Sequence, residues 1–208
     1  MDEFLGTLIL ASTLSALFIS GVVGLEVARR RFGYSPEITR RVVHIFSGLC
    51  TLVDYLLLPQ IWFIILISVS LVGIAASQRF GWLTSVHSVR RRTYGEVFLP
   101  IGTLATYCTS ALNLTESDWK YFVPALMIMT FADSASGITS DVLKLQRKSW
   151  RGSLVFALVS SFILLSFGLG VIKALAFAIV LTAVERFSKL GSDNLTVPLT
   201  GSLLLRFF

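Results

Sequence analysis

The sequence predicts an all-α fold, a polytopic transmembrane helical bundle with about seven spans. Two observations carry that prediction. Of 208 residues, 54 % are hydrophobic and only 14 % charged, whereas a soluble domain is about 25 % charged. The apolar residues also gather into long runs, and Lys and Arg fall in the short segments between alternate runs, the pattern that membrane orientation produces. The length suits one domain covering residues 1–208. The excess of 18 basic over 12 acidic residues is spent in those segments, so no nucleic-acid partner is expected.

The first run, 4–27, follows an acidic Met1-Asp2-Glu3 and precedes Arg29-Arg30-Arg31. It is too long for the apolar part of a cleaved signal and reads as a span with its N-terminus outside. The next runs are 42–58, 61–78, 97–112 and 120–138. The sixth and seventh, 153–169 and 172–187, are short; about fourteen strongly apolar residues reach roughly 21 Å, against a bilayer core of about 30 Å. Residues 195–208 are apolar but carry Arg206, and suit a half-helix, a re-entrant piece or an eighth span.

Orientation follows from charge. Arg29, Arg30, Arg31, Arg40 and Arg41 lie in one connection, and Arg79, Arg90, Arg91 and Arg92 in another. Lys144, Arg147, Lys148 and Arg151 lie in a third, with Arg186 and Lys189 after the seventh run. The opposite connections hold only Lys120 and Lys173. The basic side is expected to be cytoplasmic. The sequon Asn113-Leu114-Thr115 falls on the outer side. Cys50 and Cys108 sit in apolar runs and read as small hydrophobes.

Polar residues gather in the inner third. Arg41, His44 and Gly48 share a helix face by their spacing, which suits an anionic ligand, although spacing alone favours a snorkelling cation beside a satisfied interfacial imidazole. Asp133 lies inside the fifth run, where a carboxylate is costly unless paired, hydrated or metal-bound. Ser136, Gly137 and Ser140 follow on its face and suit close approach of a nucleotide, or tight helix packing. Glu96, Glu185, Asp193 and Asn194 are hard-oxygen candidates for a divalent cation, each also readable as a cap or loop pair. Asp54 lies toward the outer end of its run and is left out of the site. Arg147 to Ser153 combines cations, hydroxyls and Gly152 before a helix, an arrangement that suits phosphate. Phosphate chemistry on a membrane lipid is the reading these groups support, with cations on the phosphates and carboxylates on a metal or the alcohol proton.

Five segments then resemble a known family in order. They are Arg40-Arg41-Val42-Val43-His44 to Gly48, Thr93-Tyr94 to Pro100, and Asp133-Ser134-Ala135-Ser136-Gly137. Lys148-Ser149-Trp150-Arg151-Gly152-Ser153 and Asp193-Asn194-Leu195-Thr196-Val197-Pro198 complete the set. They resemble the dolichol kinase, phytol kinase and CTP-dependent diacylglycerol kinase group of integral membrane lipid kinases. The resemblance implies transfer of the γ-phosphate of CTP, with Mg²⁺, to a membrane lipid alcohol, first of all an isoprenoid alcohol such as phytol, geranylgeraniol or a polyprenol. Diacylglycerol is the alternative acceptor. A cytidylyltransferase acting on a lipid phosphate and a non-enzymatic transporter are the alternative functions. The resemblance further implies catalytic roles for Asp133, His44 and Glu185, and Mg²⁺ at Asp133 and Asp193. It places the nucleotide on Arg41, Lys148, Ser149, Gly152, Ser153 and Asn194.

Overall fold

The computed structural model describes residues 2–80, 94–111, 119–144 and 148–206. The sequon at Asn113, the cations Arg90, Arg91, Arg92 and Arg147, and Thr93 lie outside the described residues. All regular structure among the described residues is helical, as the composition predicts. The chain divides into two compact units, Met1–Arg91 and Arg92–Phe208.

The first unit holds α1 (Asp2–Phe32), α2 (Pro36–Leu57) and α3 (Gln60–Phe80). α1 runs five residues past the predicted apolar run because Glu26 is shared by two arginines one turn on. Its Oε1 accepts from Arg29 Nη2 at 3.0 Å and from Arg30 Nε at 2.6 Å. Pairs at these spacings support a helix, and Glu26 itself is buried. α2 starts where Ser35 caps it, its hydroxyl accepting from Ile38 N, with Pro36 in the first turn, both favoured there. α1 and α2 meet where Phe18 stacks on Phe46 at 6.1 Å, and Phe46 fills the space beside Gly21. Phe4 on Trp62 and Tyr55 on Phe63 bring α3 to α1 and α2.

The second unit opens with α4 (Gly95–Ala111). A continuous helical segment follows: α5 (Trp119–Met127), a π-helical turn (Ile128–Ala132) and α6 (Asp133–Val142). α7 (Trp150–Ser166) and α8 (Val171–Phe187) form a hairpin, and α9 (Asp193–Leu205) closes the chain. The core lies between the π turn, α7, α8 and α9, where Ile128, Phe156, Leu164, Leu181 and Val197 are almost wholly buried.

Among the described residues, three helical segments, Glu3–Phe32, Gln60–Phe80 and Trp119–Val142, are long and apolar enough to cross a membrane. α7 is apolar but shorter. α7 and α8 have 17 residues each, about 26 Å, longer than the roughly fourteen strongly apolar residues within each run. α7 gains its first turn from Ser149, whose hydroxyl accepts from Gly152 N at 3.1 Å. Losing such a cap costs about 1 kcal/mol; Ser149→Ala should lower the thermal unfolding midpoint in detergent accordingly. The terminal apolar stretch forms α9, with 13 residues and about 20 Å. Large apolar side chains face outward, among them Ile172 (85 % exposed), Phe162 (71 %) and Val72 (68 %), as lipid contact requires and water would not favour.

Candidate functional site

Asp133, Glu185 and Asp193 start from three different helices and meet at one point. Carboxylate oxygens of all three lie within 4.8 Å of one another, and all three residues are buried. Each is brought there by a local device. Asp133 follows the π turn: its N–H reaches back five residues to the Ile128 carbonyl, so one extra residue is accommodated and the side chains beyond it are re-aimed. Glu185 sits in the last turn of α8. Asp193 opens α9 after a tight connection in which Leu190 and Gly191 take φ of 55° and 86°. That connection is pinned by Tyr94 N donating to Leu190 O at 2.9 Å and by Ser188 and Thr196 hydroxyls 2.7 Å apart.

Lys148 enters this cluster. Its Nζ donates to a Glu185 carboxylate oxygen, to the Glu185 carbonyl and, at 2.8 Å, to Asp193 Oδ2. The three carboxylates and the one ammonium together carry a formal charge of −2. Buried charge of that size is costly unless balanced. Among the described residues, Glu185 Oε2 and Asn194 Oδ1 are buried with no hydrogen-bond partner. Hard oxygens, excess negative charge and unsatisfied acceptors are the donor set that a divalent cation takes.

Asn194 stands next to Asp193 and ties the start of α9 to that of α4, its Nδ2 donating to Gly95 O at 2.7 Å. Glu96 lies in the first turn of α4, partly buried. Pro198 has no N–H for the Asn194 carbonyl four residues earlier. That carbonyl lies against Gly102 of α4, where a Cβ would overlap it.

Gly152 and Ser153 are committed to protein contacts. A Cβ on Gly152 would stand 2.8 Å from Ser140 Oγ and 3.0 Å from Ser136 Oγ. The small residues of α6 thus receive α7 at close range, the packing that such residues permit. Ser153 Oγ accepts from Arg186 Nη1 at 3.1 Å. Ser149 lies at the start of α7, its hydroxyl 3.3 Å from that of Ser140. The second unit therefore brings Asp133, Lys148, Glu185, Asp193 and Asn194 together, with Ser149, Gly152 and Ser153 on the adjoining turn. Arg41 and His44 belong to the first unit; they share one face of α2, His44 buried and Arg41 partly so.

Two groups escape a reading of the sequence alone. Arg186 looks there like one more basic-side charge, yet it holds the Lys148 segment. Glu26 lies inside an apolar run; the signal for its pairing is the Glu-to-Arg spacing of three and four.

This is an all-helical protein of membrane type, whose buried acidic cluster and adjoining cationic turn have the groups that phosphoryl transfer uses. The chain is 31 % identical, over 215 aligned positions, to the phytol kinase of Synechocystis sp., an alignment spanning 94 % of this chain and 90 % of that protein. It belongs to the phytol kinase family, and is a kinase by that membership. No protein-family model matches the chain, and no solved structure matches it.

Proposed function

We propose that this protein phosphorylates an isoprenoid alcohol of the phytol class in a membrane, taking the γ-phosphate of CTP at the cytoplasmic face. The observation that carries the reading is the buried cluster of Asp133, Glu185 and Asp193 with Lys148 threaded into it. The similarity to a phytol kinase supports the acceptor class, and the resemblance of the five segments supports CTP. Seven passes, with the basic connections inside, accord with the apolar runs and the charge asymmetry.

Asp133 and Asp193 would hold Mg²⁺, with Glu185 and Asn194 completing the oxygen set. Bound there, the ion would neutralise phosphate charge. Lys148 and Ser149 would contact the triphosphate at the cationic turn, where the N-terminus of α7 favours anions. Gly152 would serve by letting that turn sit against α6, and Ser153 by supporting it. Arg41 and His44 are assigned to the phosphates on the resemblance alone. As the lipid hydroxyl oxygen attacks the γ-phosphorus, its proton passes to a carboxylate of the cluster. The bond from that phosphorus to the β–γ bridging oxygen breaks, and CDP leaves with the charge.

The test uses purified protein in nanodiscs with Mg²⁺, a panel of lipid alcohols and CTP labelled at either the α- or the γ-phosphate. Label should reach lipid only from the γ position, and with isoprenoid alcohols ahead of diacylglycerol. Transfer of α-label alone, with phosphatidate supplied, would mean a cytidylyltransferase. No transfer from CTP, UTP or ATP would overturn the proposal.

A further inference from the structure

Lys148 reaches the carboxylates from an unusual backbone. Its φ is 59°, a left-handed conformation that residues with a Cβ adopt only when their surroundings hold them there. Its carbonyl precedes the cap of α7 and has no helical partner of its own. Two neighbouring residues of α8 grip it at both ends. Arg186 Nη1 donates to Lys148 O at 3.0 Å and to Ser153 Oγ at 3.1 Å, bridging the strained residue to the first turn of α7. Glu185 takes the ammonium with its carboxylate and its carbonyl. Arg186 is exposed, so its guanidinium contributes little to the core.

We infer that Arg186 is a positioning residue, a latch that keeps Lys148 in its left-handed turn and so keeps the ammonium among Glu185 and Asp193. Without it the carbonyl loses its donor, the backbone relaxes toward ordinary φ, and the ammonium swings out of the carboxylates. The role in phosphoryl transfer rests on the function proposed above; the latch itself does not.

The experiment is competitive labelling of lysines with an amine-acylating reagent on the intact protein in nanodiscs, read by mass spectrometry. Exposed Lys120 is the internal reference. Arg186→Ala should raise Lys148 labelling about tenfold, the size expected when local strain is released. Arg186→Lys, which retains a donor, should fall between the two. γ-Phosphate transfer is measured on the same samples. In a Lys148→Ala background, Arg186→Ala should cause no further loss of transfer, since it acts through Lys148. Unchanged Lys148 labelling in both Arg186 variants would overturn the latch, and so would a further loss in the Lys148→Ala background. If Arg186→Ala does not fold, the labelling of Arg186→Lys decides the matter. Raised labelling in a protein whose wild type transfers no phosphate supports the latch and sinks the kinase reading. Wild-type transfer with unchanged labelling does the reverse.

Discussion

Replacing Asp133 with Ala removes phosphoryl transfer by a factor of about a thousand or more, while the protein still inserts into membranes and purifies as the wild type does. The two halves of that expectation have one physical origin. The cluster carries three carboxylates and one ammonium within a buried space. Removing one carboxylate relieves repulsion among the others, so the fold loses little. The same removal takes away one of the oxygens that would hold the metal and leaves the phosphates unbalanced. Lys148 stays in place, because Arg186 still holds its carbonyl and Glu185 and Asp193 its ammonium. γ-Label transfer in nanodiscs, beside the elution profile and thermal midpoint of the same preparation, separates the two effects. Full transfer by Asp133→Ala would show that Asp133 is not part of the chemistry.

Gly102→Ala should destabilise the protein by about 1–3 kcal/mol or more, and should lower transfer along with it. The added Cβ would meet the Asn194 carbonyl oxygen, with Leu195 Cα at 2.9 Å and Asn194 C at 3.0 Å. All three are backbone atoms, so no rotamer change makes room. α4 and α9 must part, and Asn194 and Asp193 move with α9. Gly73, inside α3, has nothing within 4 Å of its would-be Cβ. Gly73→Ala is the control: a helix-interior Gly replaced by Ala in open space should be neutral or stabilising. Equal thermal midpoints for the two variants in one detergent would show that the close approach at Gly102 does not constrain the fold.

Much of this arrangement was legible in the sequence, because membrane helices leave long apolar runs and charge marks their ends. Each run coincides with a helix, and even the uncertain 195–208 stretch is helical through Leu205. Asp133 and Glu185 were readable as candidates because charge inside apolar sequence needs a reason, Asp193 and Asn194 as hard oxygens just after a run, and Lys148 as a cation before a helix start. Their convergence was not readable. It depends on the π turn before Asp133, which no residue type announces, and on left-handed φ at Lys148 and Leu190, where side-chain chemistry argues for ordinary backbone. Gly102 escaped notice because what makes it necessary is the carbonyl freed by Pro198 on a helix far along the chain. For Ser136, Gly137 and Ser140 the sequence favoured ligand approach over helix packing, and the close contact of Ser136 and Ser140 with Gly152 supplies the packing. Among the described residues, span counting stops at three by length and composition, since α2 carries Glu37, Arg40, Arg41 and Asp54, and α4, α7, α8 and α9 have 17 residues or fewer.

The residue at position 148 serves two masters. Its backbone conformation is the one that Gly or Asn adopts most readily, and either would ease the turn that begins α7. Neither carries a cation on a long stem, which is what the carboxylates of α8 and α9 engage. Removing the lysine, however, would leave three buried carboxylates without their one ammonium, a loss of about 3–5 kcal/mol, more than the roughly 1–2 kcal/mol that one left-handed residue costs. Local conformation and charge balance therefore pull in opposite directions at this position, and charge balance is the larger effect.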